Sequence, residues 1–410
     1  MKPKIGQGKY TQSTFDDDAY KFNMQWAYMM KFPDSRCCFE YTLRSKVQWP
    51  KGFGAALQYL LYQYDQLTAP DGMEEYLLKN AIHLPLAAID YLCNFRFNPG
   101  ELQVFHDETK NLLLIKACGP TVSAMRWEIP VLSTVSELYH EMTGNSIDDI
   151  NFETVVNIAN EKGKQLQSLN ISHVDFGTRR RHSFQVHDQV VKTLSRTLGS
   201  NFKGTSNMHL AHKHNVKMIG TTGHEWYQFH SGVYGYKMAN YRAMENWQIV
   251  YRGRMGIVLP DTFTTDSFLK SFDSDFARRY DGARQDSGDW KSWTDKFVNR
   301  YKELGINPSS KHFIYSDGIN SIELCKEINN YTKKLSLPMM SLGIGTWFTC
   351  DVPGVTPLNQ VMKMTMMSLD RSGDQWEHVI KIADGVGKEI GNPDAIHLGK
   401  LTLGIPTQTQ

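Results

Sequence analysis

Two hydrophobic rhythms divide the chain. Up to about residue 125, short period-two stretches mix with helical ones. Phe39-Glu40-Tyr41-Thr42-Leu43-Arg44 alternates like a half-buried strand, and stretches 55–61 and 73–78 read as helices. Stretches 102–105 and 112–116 can pair as strands across Asp107-Glu108-Thr109-Lys110-Asn111. From about Pro130 a different unit repeats: a short apolar strand ends in Gly, Asp, Ser, Thr or Arg, and a helix follows. Strands are expected at 173–176, 216–219, 256–259, 312–315 and 339–341. They end respectively in Gly177-Thr178-Arg179, Gly220-Thr221-Thr222-Gly223-His224, Pro260-Asp261-Thr262, Ser316-Asp317-Gly318 and Gly343-Ile344-Gly345-Thr346.

The intervening helices carry apolar stripes. Phe268, Leu269, Phe272 and Phe276 share one face behind a Thr265 N-cap, and Trp290, Trp293, Phe297, Tyr301 and Leu304 form another, closed by Gly305. Packing of these stripes against a sheet is the commoner explanation and is the one adopted. Alternating strands and helices imply a largely parallel sheet, and polar clusters behind so many strands favour an irregular β/α barrel over an open sheet. The expected fold is therefore α/β. An N-terminal α+β domain spans 1–128 and is joined by the C-terminal segment 355–410, with the barrel as catalytic domain over 129–354.

Composition narrows the class. Hydrophobic residues make up 41% and charged residues 21% of the 410, and the net charge is only +2, too small to imply a nucleic-acid partner. No apolar run is long enough for a membrane span, and the first residues carry no secretory pattern, so the expected location is cytoplasmic. Six cysteines, Cys37, Cys38, Cys93, Cys118, Cys325 and Cys350, show no CxxC pair or metal-ligand spacing, and reduced thiols are expected. The basic run Arg179-Arg180-Arg181-His182 follows a strand directly, which suits a phosphate site better than an RNA-contacting patch.

Glycine beside Ser, Thr or Asp after a strand lets backbone amides approach an anion; Ser316-Asp317-Gly318 and Gly343-Ile344-Gly345-Thr346 both have that composition. Arg284-Gln285-Asp286-Ser287-Gly288-Asp289 offers a planar cation and an anion on one loop, although Asp286 or Ser287 could equally cap the Trp290 helix. His224 follows a glycine-bounded turn and precedes Glu225; a neutral imidazole there is a competent nucleophile toward a phosphoryl group. His209, His212 and His214 lack a third ligand of the HExxH kind and read as a solvated helix face.

Taken in order, these clusters resemble the nicotinate phosphoribosyltransferase family, of the type II phosphoribosyltransferases. The resemblance runs from Asp18-Ala19-Tyr20-Lys21 through Asp175 to Arg179, Gly204-Thr205-Ser206-Asn207, Gly220 to Trp226, Arg284 to Asp289, Ser316-Asp317 and Gly343 to Thr346, to Lys381-Ile382-Ala383-Asp384 with Gly387-Lys388. It implies that nicotinate and 5-phosphoribosyl-1-pyrophosphate give nicotinate mononucleotide and pyrophosphate, the first step of NAD salvage from nicotinate, with ATP as co-substrate, Mg²⁺ as cofactor and a phosphohistidine at His224. By the same resemblance Tyr20 would stack on the pyridine ring, across the interface of a homodimer with shared sites. Thr221 and Arg284 would hold nicotinate, Arg179 would lie in the same pocket facing the carboxylate or the phosphates, with the choice among Arg179, Arg180 and Arg181 left open, and Asp286 would face the ribose and Mg²⁺. Ser316, Asp317, Gly318, Gly343, Gly345 and Thr346 would cradle the phosphoribosyl group. Nicotinamide-using relatives carry aspartate at the place of Ser206, which favours nicotinate here, and Gly223 stands where many members have alanine, loosening the turn. The alternatives are a nicotinamide or quinolinate phosphoribosyltransferase, or a non-catalytic phosphosugar-binding barrel.

Overall fold

A computed structural model describes residues 5–197, 201–385 and 387–406. Strands β1 (Arg36–Leu43), β2 (Leu102–Asp107) and β3 (Leu112–Pro120) come first. The barrel strands β4 (His173–Asp175), β5 (Phe202–Thr205), β6 (Ile257–Val258), β7 (Gly282–Gln285), β8 (His312–Tyr315) and β9 (Met340–Ile344) follow, then β10 (Gln360–Ser368) and β11 (Glu377–His378).

The first sheet is antiparallel, in the order β11-β10-β1-β3-β2. Its alternation is the one read from the sequence: Cys37, Phe39 and Tyr41 of β1 and Leu113, Ile115 and Ala117 of β3 point inward. The β2–β3 turn closes where Asp107 accepts from the amides of Thr109 and Lys110 and Asn111 takes a positive φ of 51°. The C-terminal strand β10 lies between β1 and β11, so the two ends of the chain complete one sheet.

Cys38 and Cys118 stand directly opposite each other on β1 and β3 and are joined as a disulfide, while Cys37, Cys93, Cys325 and Cys350 are free. The expectation of six reduced thiols is corrected for this pair. Their residues are 80 apart in sequence, and only the strand register brings them together.

The second sheet is wholly parallel, in the order β5-β4-β9-β8-β7-β6. The last strand pairs with the first, so the strands run round a barrel. Segment 216–219, expected as a regular strand, makes only a bridge: the Thr205 amide donates to Lys217 O and the Ile219 amide to Thr205 O. Its other side meets β6 through the Thr221 hydroxyl on Ile257 O at 3.2 Å. The barrel is irregular because of this seam. Two further corrections concern local elements. β9 extends to Ile344 and so takes Gly343 into the sheet. The helix expected after Thr265 breaks into Thr265–Ser271 and Ser274–Arg279, with Thr264 as the first N-cap.

The N-terminal segment straps the two parts together. Three consecutive buried aspartates each find partners on distant elements: Asp16 takes both terminal nitrogens of Arg181, Asp17 takes Arg126 Nε, and Asp18 takes the hydroxyls of Thr178 and Ser206. Helix α1 (Ala19–Lys31) follows at once and lies over the barrel seam. Among the described residues, no helix is long and apolar enough to cross a membrane.

Candidate active site

The strand ends of the barrel open on a cavity of about 390 Å³. Behind β4, the carboxylate of Asp175 fixes the loop: Oδ1 accepts from the Gly177 amide (2.9 Å), and Oδ2 accepts from the Thr205 hydroxyl (2.6 Å) and meets His187 Nε2 at 2.6 Å. Phe176, Arg179 and Arg180 from this loop line the cavity, whereas Arg181 turns away to Asp16 and His182 stacks on His140. A short 3-10 turn over Thr178–Arg180 separates these adjacent cations. The basic run is thus half site and half scaffold.

His224 is the first residue of an eleven-residue helix, His224–Tyr234, behind the Gly220–Gly223 turn. Its Nε2 lies 2.9 Å from Asp261 Oδ1 and 3.5 Å from Asp286 Oδ2. Burial pushes the imidazole down to about 4, Lys381 adds to that, and Asp261 opposes it. The ring is therefore neutral near pH 7. Two carboxylates face Nε2, so Nε2 carries the proton and the lone pair falls on Nδ1. Asp261, just beyond β6, also accepts from the Ser287 hydroxyl (2.6 Å) and lies 3.5 Å from Lys381 Nζ. Burial disfavours its charged form, but His224 and Lys381 outweigh burial and hold its carboxyl well below the usual range. Burial likewise opposes ionisation of Asp286, and the Arg284 guanidinium reverses that, bringing it to about 2.

Arg284 sits on β7 rather than in a loop, and its Nε is buried without a hydrogen-bond partner among the described residues, 3.7 Å from Asp286 Oδ1. Ser316 Oγ lies 2.9 Å from Asp286 Oδ1, and Asp317 pairs with Lys388 at 2.9 Å. The Trp290 helix is capped by Asp289, which accepts from Ser292 N, and not by Asp286 or Ser287.

Tyr20, Arg179, Ser206, His224, Arg284, Asp286, Ser316, Asp317, Gly318, Gly345 and Thr346 all line this one cavity, from one chain. Tyr20 therefore reaches it without a second copy. Thr221 and Gly343 do not line it. The Thr221 hydroxyl is spent on the barrel seam, and a Cβ at Gly343 would lie 2.4 Å from the Phe176 ring, so that glycine makes room for an aromatic side chain. Gly223 has an ordinary extended φ of −124°; its smallness matters because a Cβ would come within 3.0 Å of the Tyr20 ring. The glycine seats that ring rather than loosening the turn. His209, His212 and His214 each have a separate neighbour, Ser13, the Tyr76 ring and Asp188, and do not converge.

Sequence reasoning left Asp261, Phe176, Asp18 and Lys381 without roles. Asp261 stood in a strand-end cluster and could have been singled out on that ground; the others lay within motifs of the resemblance without a role of their own. Ligand atoms of His224, Asp261 and Asp286 lie within 4.8 Å of one another. With the Nε2 proton directed at Asp261, the oxygens of Asp286 suit a hard cation such as Mg²⁺ better than the imidazole does.

Comparison with known proteins agrees with this arrangement. Residues 15–136 match the nicotinate phosphoribosyltransferase N-terminal domain and residues 171–406 the nicotinate phosphoribosyltransferase family. A nicotinate phosphoribosyltransferase of Chromohalobacter salexigens is 36% identical over 394 residues, covering 96% of this chain and 98% of that protein. One from Desulforapulum autotrophicum is 37% identical, covering 94% and 97%. The crystal structure of nicotinate phosphoribosyltransferase from Porphyromonas gingivalis superposes with a TM-score of 0.91 at 37% identity, covering 96% of this chain and 99% of that one. With both parts of the chain matched and the strand-end clusters gathered at one mouth, this chain belongs to the nicotinate phosphoribosyltransferase family.

Proposed function

We propose that the protein joins nicotinate to 5-phosphoribosyl-1-pyrophosphate, releasing nicotinate mononucleotide and pyrophosphate, and that it couples this to ATP through His224. The observation that carries the reading is the state of His224: neutral, hydrogen-bonded through Nε2, and placed at a helix N-terminus inside the cavity. Its Nδ1 lone pair attacks the γ-phosphorus of ATP, an N–P bond forms as the P–O bond to ADP breaks, and the Nε2 proton stays on Asp261's side. The helix N-terminus favours the added negative charge.

For glycosyl transfer, the flat rings of Tyr20 and Phe176 suit a planar pyridine, and the unpaired Nε of Arg284 suits an anionic substituent. Displacement of pyrophosphate builds positive charge on the anomeric carbon. The Asp286 carboxylate stabilises that charge, while Arg179, Arg180 and Lys388 meet the departing phosphates. Mg²⁺, held by Asp286 together with substrate phosphates, would supply charge neutralisation to the leaving group. The cavity lies where an N-terminal domain over 1–128, completed by 355–410, meets a barrel over 129–354. A homodimer remains part of this reading, without need to lend Tyr20 across its interface, as does a cytoplasmic location.

The test is incubation with ATP labelled at the γ-phosphate, with or without nicotinate. Acid-labile label on wild-type protein, absent from His224→Ala, is expected. Label that persists in His224→Ala moves the phosphoryl acceptor elsewhere.

A further inference from the structure

Helix α1 touches the turn that presents His224, and the residue just after it, at five positions. The Tyr20 ring occupies the space that a Cβ at Gly223 would take. Lys21 pairs with Glu225, Asn23 Nδ2 donates to Gly220 O at 2.9 Å, Met24 Sδ accepts from the Gly223 amide at 3.2 Å, and the Tyr28 hydroxyl donates to Glu225 O at 3.2 Å. Elsewhere the turn is thinly held. Segment 216–219 is hydrogen-bonded to β5 on one side and takes the Tyr76 hydroxyl on Val216 O, and among the described residues the Thr221 hydroxyl makes the hydrogen bond to β6 on the other. The helix that supplies a ring to the substrate cavity is thus also the main support of the histidine turn.

We propose that α1 transmits between the pyridine subsite and His224, with Asn23 and Met24 as the positioning residues. The inference rests on the phosphohistidine reading given above. Tyr20 and Met24 stand four residues apart and share a helical face, so a shift at one is felt at the other. A thioether is a weak acceptor, and it holds the amide nearest the phosphorylated residue. A phosphoryl group on His224 brings about two negative charges to that helix N-terminus. Its oxygens outcompete Met24 Sδ for the Gly223 amide. Once Met24 is released, α1 resettles and carries the Tyr20 ring with it, which changes the grip on the pyridine. Asn23, hydrogen-bonded also to His83 at 2.8 Å, anchors the other end of the turn, so that the change falls on the Met24 side.

The experiment measures the nicotinate KM with and without saturating ATP in wild type, Met24→Leu and Asn23→Ala, beside labelling of His224 in the same samples. Met24→Leu keeps volume and apolar packing while removing the sulfur acceptor, so it folds even if Asn23→Ala does not. The expected result is that the ratio of the two KM values shrinks by about threefold or more in the variants, and that in Met24→Leu it does so because the KM without ATP moves toward the wild-type value with ATP. A wild-type ratio retained in Met24→Leu overturns the proposal. So do two KM values that rise in parallel, the mark of a merely structural residue. A wild-type protein that labels on His224 yet has a ratio of one also overturns it, and leaves the phosphohistidine reading standing. Missing label in wild type overturns that reading, and the transmission with it.

Discussion

Two sets of aspartates meet opposite fates in this molecule. Asp16, Asp17 and Asp18 are each saturated by side chains from other elements: two guanidinium groups and a pair of hydroxyls. At the barrel mouth, Asp261 and Asp286 share only the His224 imidazole; Asp261 is also close to Lys381 and Asp286 to Arg284, and of the two it is Asp286 that borders open volume. The first set ties elements together, and Asp286 keeps coordination capacity in reserve. Local sequence does not separate them; what distinguishes them is how many of each carboxylate's partners the fold itself supplies.

The sharpest way to break that comparison exchanges one member of each set. Asp286→Asn is expected to cut turnover by about a hundredfold to a thousandfold with little change in melting temperature, because it removes charge facing the reacting carbon. Asp16→Ala should do the reverse and cost about 3–5 kcal/mol of stability, since it strands the fully buried Arg181. Thermal melting beside steady-state rates reads both, and a catalytically dead Asp16→Ala with unchanged melting would erase the distinction.

Asp261→Asn should slow phosphorylation of His224 on the order of tenfold to a hundredfold, comparable to losing the outer partner that orients a ligating histidine. Rapid-quench labelling measures this. A smaller effect is expected for Ser206→Asp. Ser206 Oγ already donates to Asp18 Oδ1 at 2.7 Å, so the variant sets two carboxylates together near the cavity and should lower preference for nicotinate over nicotinamide by about tenfold. If the ratio of kcat/KM values for the two substrates does not fall, Ser206 has no part in the discrimination. The mildest signature is a shift along the pH axis. Burial lowers His224 to about 4, so the nucleophilic neutral form persists as pH falls through 6.5 and is lost only near 4. Labelling of wild type between pH 4 and 8 should have its acid midpoint nearer the lower value; a midpoint at 6.5 would mean a solvated ring.

Much of the fold was legible because its elements announce themselves by period. The β2–β3 hairpin and β8 lie where alternation and apolar runs put them. β5 and β7 were missed because Phe202–Thr205 and Gly282–Gln285 are too poor in large apolar side chains to stand out as apolar runs, unlike β8 of the same length. The candidate site was legible in part as composition behind strands, which pointed to His224, Asp317 and Thr346, while Arg284 and Asp286 stood out as a charged loop and Tyr20 came from the resemblance; all six line one cavity. Composition could not tell Arg179 from Arg181, since one 3-10 turn decides which faces inward. Nor could it separate Gly345, at the mouth, from Gly343, beneath the Phe176 ring.

The place of β10 in the first sheet has a consequence for the life of the chain. β1 has eight residues of backbone to satisfy, and one of its two neighbours is made last: Tyr41 meets Gln360, 319 positions later. While the chain emerges from the ribosome, β1 stays a bare edge open to any extended segment nearby, the form of strand most prone to self-association. The barrel between them must therefore be synthesised before the sheet can close. A chain cut short before β10 would keep that edge for good, which makes the C-terminal strand the protein's seal against aggregation.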